Sequence, residues 1–291
     1  PFSTGVIGQH LNAPALAAQA SVLVAGLRVD GWNDAAAAIM TTDTRAKIRS
    51  VEVNAGGHRF AVCGIAKGSG MIKPDMATML AYVATDAAVA PALWREIAPA
   101  ITDRSFNSIT VDGDTSTNDA LVLIATGASG ASCIDSREHP LCDALCRAVE
   151  AVCVVLAQDI IRDGEGATKF ITVRVEGGRS EQDCRKVAYA VAESPLVKTA
   201  LFASDANWGR ILAAVGRAGA EHLVIDEVNL TISGVPIVIG GEPAPDYTEA
   251  AGSAVMKESD IEIAIRIGTG SATATVWTCD FSYDYVKINA D

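Results

Sequence analysis

Apolar residues recur along the chain with two different periods, and the change from one to the other divides the sequence. In the first 168 residues helical spacing dominates. Small-residue stretches around Ala13–Leu27 and Asn33–Met40 predict helices, and Pro91 opens another that runs to about Asp103. Pro140 opens a long one in which leucines and valines return at three- and four-residue intervals to about Ile161, where Asp163-Gly164-Glu165-Gly166 ends it. Between these helices, Arg59–Ile65, Met79–Thr85 and Asn107–Val111 read as strands. The run Ala66–Asp75 carries two glycines and a proline, so it predicts a loop with Thr78 at the loop-to-strand junction.

From residue 169 onward the period shortens to two. Phe170–Glu176, Asn229–Ile232, Val235–Ile239, Ile261–Ile267 and Ala272–Trp277 read as strands, with Ser233-Gly234 and Gly268–Ser271 as hairpin turns. Ile261, Ile263, Ile265 and Ile267 alternate with polar or small residues, the pattern of a sheet with one buried face. Two helices interrupt, Glu181–Glu193 capped by Ser180 and Trp208–Arg217 after Asn207. The expected fold is of the α/β class, mixed α+β, in two domains covering 1–168 and 169–291.

Composition narrows the partners. Hydrophobic residues make up 49% and charged residues 20%, enough apolar surface for a core and too little charge for a disordered chain. The formal net charge of -12 repels phosphate backbones and anionic membranes, so neither nucleic acid nor membrane is expected as a partner. No apolar run approaches the ~20 residues a membrane span needs, and no basic leader with an apolar segment opens the chain. Seven scattered cysteines, an odd number mostly within apolar runs, suit reduced thiols and a cytoplasmic location. Cys142 and Cys146 lie four apart on a helix but lack a second ligand pair, so no metal is expected. No fixed-period repeat is present, which excludes solenoids and propellers.

The common catalytic signatures fail. His10, His58, His139 and His222 have no neighbouring Ser or Cys in a nucleophile setting, and neither a Gly-x-Ser-x-Gly elbow nor a P-loop occurs. Gly68-Ser69-Gly70 resembles half of a dinucleotide fingerprint, yet it precedes a strand instead of opening a helix. Met76-Ala77-Thr78 offers different chemistry. If the Thr78 hydroxyl attacks the Ala77 carbonyl, the amide shifts to an ester, and water releases a new N-terminal threonine whose α-amine serves as its own base. Such an amine, with a pKa near ~7.7–8.0, is partly unprotonated at neutral pH, where a lysine amine is not. Taken alone, a threonine at the head of a strand is simply a good β-former.

The surrounding sequence changes that balance. Ala66 to Leu80 resembles the self-cleavage motif of the ornithine acetyltransferase family, also called bifunctional glutamate N-acetyltransferase. Further blocks match in order: Ser3–Gly8, Met40–Thr44, Val111–Asp119, Phe202–Arg210 and Asp284–Asp291, so the resemblance covers essentially the whole chain. It implies a layered α/β sandwich of the N-terminal-nucleophile type, shared with certain aminopeptidases. Residues 1–168 would carry the nucleophile and 169–291 would form a smaller α+β lobe. It also implies autoproteolysis between Ala77 and Thr78, and an acetyl group passing from N2-acetylornithine to Thr78 and then to glutamate in ping-pong order. No cofactor is implied, although acetyl-CoA is a possible second donor. The process implied is arginine biosynthesis.

Carried over residue by residue, the resemblance makes Thr78 the nucleophile and gives Thr4 and Gly5 the oxyanion. Lys67 would bind a substrate carboxylate and Glu165 a substrate ammonium, with Thr41, Thr78 and Asn289 completing the pocket. Without it, Ser3-Thr4-Gly5 reads as a turn, and Lys67 and Glu165 as solvated loop charges. The run Asp112–Asp119 is expected to form a hydrogen-bonded wall around the nucleophile, because eight polar or glycine residues could hardly be buried unpaired; none receives an individual role. The cleaved α and β fragments would associate as a heterodimer, and further as a heterotetramer or larger assembly. Family members carry a longer N-terminal segment and a few more C-terminal residues, so 1–291 is expected to be a fragment. The competing readings are an N-terminal-threonine amidase or aminopeptidase and an uncleaved scaffold protein.

Overall fold

The computed structural model describes residues 4–73 and 79–290. In chain order its elements are α1 (Ala13–Ala18), α2 (Ala20–Ala25), α3 (Trp32–Ala38), β1 (Lys47–Ala55), β2 (His58–Lys67), β3 (Leu80–Thr85), α4 (Pro91–Asp103), β4 (Ala120–Ala125), α5 (Cys142–Arg162), β5 (Phe170–Gly178), α6 (Glu181–Ala192), α7 (Pro195–Phe202), α8 (Trp208–Gly216), β6 (Asn229–Ile232), β7 (Val235–Ile239), β8 (Glu242–Pro243), α9 (Glu249–Val255), β9 (Asp260–Arg266), β10 (Ala272–Cys279) and α10 (Tyr283–Ala290). They form two units, each with its own sheet. The first takes residues 4–71, 79–107 and 115–160, the second 72–73, 108–114 and 161–290.

In the first unit the strand order is β1-β2-β3-β4. The pairs β1–β2 and β2–β3 are antiparallel, and β3 runs parallel to β4. A parallel neighbour cannot be reached by a tight turn, and the β3-to-β4 connection accordingly includes α4. Helix α5 supplies the buried face: Leu145, Val149, Cys153, Leu156 and Ile160 are all fully buried, and Val152 and Leu156 lie over Gly64 of β2. Each such large side chain contributes roughly 1.5–3 kcal/mol by leaving water. Strand β3 lies in the middle of the sheet, so what happens at its first residue is tied to two neighbours.

The second unit holds the strand order β10-β5-β9-β6-β7-β8. Ile261, Ile263 and Ile265 of β9 are buried while Glu262 and Arg266 are exposed, the alternation read in the sequence. Ser233-Gly234 does turn between paired strands β6 and β7. Gly268–Ser271 does not make a hairpin: β9 is parallel and β10 antiparallel to β5, which lies between them. The connection must pass over the end of β5, and the backbones there come too close for side chains. A Cβ on Gly270 would collide with the carbonyl of Gly178, and one on Gly177 with that of Gly268. The strand expected at Asn107–Val111 is replaced by a short 3₁₀ turn at Phe106–Ser108 and a single bridge from Ile109 to Trp277. Its hydrogen bonds go elsewhere, Thr110 N–H to Trp277 O and Val111 N–H to Ile72 O.

Candidate active site

Strand register places the first group. Lys67 ends β2 and pairs with Leu80, which begins β3. The chain joining them carries Ala77 and Thr78, both of which lie outside the described residues. Lys67 is 1% exposed, so it is not the solvated loop charge that composition alone allows. Burial lowers its pKa, while Asp43 and Asp119 act to keep it charged. Its ammonium donates to Thr41 Oγ1 at 3.3 Å, bringing together two of the expected substrate-binding residues.

Asp43 organises this group. Its Oδ1 accepts from Lys47 Nζ at 2.6 Å and from Gly68 N–H at 2.8 Å, and its Oδ2 accepts from Thr41 N–H at 3.1 Å. Burial alone would raise its pKa, but the hydrogen bonds and the Lys47 charge outweigh that and hold it below the usual carboxylate range. One carboxylate thus ties the residue after Lys67 to the residue that Lys67 touches. Its block was visible in the sequence; its role depends on partners up to 25 residues away.

Two aspartates of the polar run accept from backbone groups, and Thr117 Oγ1 donates to Asn118 Oδ1 at 3.0 Å. In the second unit Asp112 Oδ1 accepts from Ile72 N–H at 3.1 Å and from Asp114 N–H at 3.2 Å. In the first, Asp119 Oδ1 accepts from Met79 N–H at 2.5 Å. These two aspartates hold residues that precede and follow the segment 74–78. Burial raises Asp119 to about 6, against the lowering effects of the Met79 hydrogen bond and the Lys67 charge. The sign of the linkage follows. Between the unfolded value near ~3.9 and about 6, the folded state keeps a proton that the unfolded chain has lost. Wild-type stability relative to Asp119→Asn should therefore decline as pH rises from about 4 to about 6, then level off. Denaturant midpoints of both proteins across that range check this; a constant difference would refute it.

Thr4 is half-buried, and its Oγ1 is shielded from water without a hydrogen-bond partner among the described residues. Gly5 is exposed, and the space a side chain would take there is open apart from Leu11 at 3.9 Å. Neither shares a described hydrogen bond with Thr41 or Lys67.

The second unit brings together the remaining pair, 124 residues apart in sequence. Asn289 Nδ2 donates to Glu165 Oε2 at 2.8 Å and to Tyr285 O at 3.0 Å. Both partners are acceptors, so the amide orientation is fixed and the Asn289 oxygen faces away as a further acceptor. The docking of the 163–166 turn on α10 explains the meeting. Ser282 Oγ donates to Gly166 O at 2.6 Å and accepts from Asp284 N–H at 3.1 Å. Gly166 has φ +68°, and a Cβ there would collide with the Tyr285 backbone nitrogen. Stacking of Phe281 on Tyr285, centroids 4.7 Å apart, holds the start of the helix. Both the Glu165 carboxylate and the Asn289 amide oxygen can accept from a charged nitrogen.

Among the described residues no group of three or more His, Cys, Asp or Glu is arranged to hold a metal ion, and no helix is long and apolar enough to cross a membrane.

Comparison with known proteins agrees with the resemblance of the sequence blocks. The ArgJ family model matches residues 1–291. The arginine biosynthesis bifunctional protein ArgJ of Psychrobacter arcticus (strain DSM 17307 / VKM B-2377 / 273-4) is 57% identical over 291 residues, 100% of this chain and 72% of that protein. The crystal structure of arginine biosynthesis bifunctional protein ArgJ from Bacillus halodurans matches with a TM-score of 0.69 and 40% identity, covering 72% of this chain and 97% of that one. A match over the whole sequence, a close relative and a shared mixed α+β fold give one conclusion: the chain belongs to the ArgJ family.

Proposed function

We propose that this chain is a glutamate N-acetyltransferase of arginine biosynthesis, moving an acetyl group from N2-acetylornithine to glutamate through an acetyl-threonine intermediate on Thr78. The family match over residues 1–291 carries this reading. The buried Lys67 at the β2 end, joined to β3 through the Ala77–Thr78 junction, supports it.

Autoproteolysis at Ala77–Thr78 frees the α-amine of Thr78, which takes the proton of its own hydroxyl as the oxygen attacks the acetyl carbonyl. The Thr4 hydroxyl and the Gly5 N–H donate to the oxygen that becomes negative. Collapse breaks the bond to the ornithine nitrogen, which leaves carrying the proton, and glutamate's amine then attacks the ester by the reverse sequence. Lys67, with Thr41, takes a substrate carboxylate, and its neighbours Asp43 and Asp119 help to keep it charged. Glu165 and Asn289 take the distal ammonium of ornithine. No step requires a bound cofactor, and acetyl-CoA serves as an alternative donor to Thr78. The cleaved fragments stay together as a heterodimer and assemble further into a heterotetramer or larger assembly. The reaction is assigned to the cytoplasm, a reading supported by the seven free cysteines.

Incubating the purified enzyme with N2-acetylornithine and glutamate should yield ornithine and N-acetylglutamate, with an acetylated Thr78 peptide trapped when glutamate is withheld. Acetate in place of N-acetylglutamate would make the protein an amidase. The same assay tests the ammonium subsite. Glu165→Gln removes a charge-assisted contact of roughly 1.5–3 kcal/mol, so the KM for acetylornithine should rise roughly tenfold or more. Glutamate has no distal ammonium, and its KM should hold. Equal kinetics in the two proteins would remove Glu165 from the pocket.

A further inference from the structure

We propose that Asp119 is a positioning residue for the nucleophile: its carboxylate holds the Met79 amide and so fixes the peptide that joins Thr78 to β3. The inference rests on Thr78 being the nucleophile, as read above.

The geometry around Met79 carries it. Parallel pairing of β3 with β4 sets Leu80 opposite Ala120. One residue earlier, Met79 is gripped on both sides of its backbone. Its carbonyl accepts from Ala120 N–H at 3.0 Å, and its N–H donates to Asp119 Oδ1 at 2.5 Å. The side chain of Asp119 thus takes the place of a further ladder acceptor beyond the end of the two strands. Met79 is 5% exposed, so water is a poor substitute for that acceptor.

This bond matters more at residue 79 than at an ordinary strand end. The Met79 N–H and the Thr78 carbonyl belong to one planar peptide unit, so aiming the first aims the second. After scission at Ala77–Thr78, the nucleophile has no preceding chain. Its only covalent tether is the Thr78–Met79 peptide, and the orientation of Thr78 then depends on what holds that plane. A displacement of about 1 Å at a reacting group costs on the order of 10²-fold in rate. Burial pushes the Asp119 carboxyl up to about 6, so the protein keeps a carboxyl where its charge is disfavoured. A merely solvated loop carboxylate would incur no such cost.

The test compares Asp119→Ala, which deletes the acceptor, with Asp119→Asn, whose side-chain oxygen still accepts from Met79. Cleavage of each full chain is checked by intact mass, and single-turnover acetylation of Thr78 by N2-acetylornithine is measured on the cleaved fraction. At saturating donor, Asp119→Ala should acetylate roughly tenfold to a hundredfold more slowly. At saturating donor Asp119→Asn should stay within about threefold of wild type, since positioning needs the acceptor and not the charge. Any weakening of donor binding through Lys67 should be shared by the Ala and Asn variants. Amide exchange at Met79 reads the bond directly and should accelerate in Asp119→Ala only. If Asp119→Ala does not fold, Asp119→Ser, too short to reach, replaces it with the same expectations. Equal rate losses in the Ala and Asn variants, or equal protection of Met79 in all three proteins, would overturn the proposal. A wild type that forms no acetyl-Thr78 overturns the functional reading and this proposal with it, whereas a normal wild type with an unaffected Asp119→Ala overturns only the latter.

Discussion

Thr78→Ala should run as one uncut chain and transfer no acetyl group, with turnover down by at least roughly 10³-fold. One residue is asked to supply two functions. On the proposed mechanism its oxygen breaks the Ala77–Thr78 bond and later carries the acetyl group, and the amine exposed by the first event is the base for the second. Alanine provides neither, while leaving strand β3 intact from Leu80 onward. The fold should therefore survive: β3 pairs with both β2 and β4, and Leu80, Ala81 and Val83 are buried. For the same reason the wild-type fragments should remain associated after scission. The proposed cut falls between β2 and β3, and separation would expose the edges along which Val62 to Lys67 pairs with Leu80 to Thr85. Intact mass under denaturing conditions, compared with native size, measures both effects. Two fragments from Thr78→Ala would end the self-cleavage mechanism.

What the sequence disclosed followed burial. Helix α5 and the isoleucines of β9 were legible because one face of each is wholly buried, and periodicity is a record of burial. The strands that escaped notice in the first unit, β1 and β4, are the two edges of its sheet. An edge strand buries little: along β1 only Lys47 is buried, and no residue of β4 is. Helix α10 buries no residue at all, so it has no apolar stripe to read; Ser282 and the Phe281–Tyr285 stack set its start instead. The misplaced hairpin at Gly268–Ser271 had the right turn residues, but glycines serve equally to pass one backbone over another.

The site was legible as a set of blocks and not as an arrangement. Thr41, Lys67, Glu165 and Asn289 were named from resemblance, and the structure joins them as two pairs, Thr41 with Lys67 and Glu165 with Asn289. Asp43 and Asp119 received no role because their function is to accept from backbone groups 25 and 40 residues away. A signal for Asp119 was nevertheless present: it is the last polar residue before an apolar strand, in a run too long to leave unpaired.

Thr4→Val should lower turnover by roughly 10²–10³-fold while leaving substrate affinity unchanged and fold stability at or above that of the wild type. A buried hydroxyl without a partner destabilises a protein by about 1–3 kcal/mol, a cost that deletion of the donor relieves. Thr4 Oγ1 is such a hydroxyl among the described residues. On the proposed mechanism an oxygen that becomes negative only during reaction is the acceptor of that hydroxyl, and the interaction is then made in the transition state and not in the ground state. Valine keeps the shape and deletes the donor. A hydroxyl with a structural partner would show the opposite signature, lost stability with modest change in rate. Single-turnover acetylation of Thr78 measures the rate, calorimetry the affinity, and urea unfolding the stability. Self-cleavage is followed separately, because it slows in the variant only where the same donor also serves the tetrahedral intermediate at Ala77. An unchanged acetylation rate would return Ser3-Thr4-Gly5 to an ordinary turn, whereas a slow enzyme of full stability fits only a donor aimed at the reacting oxygen.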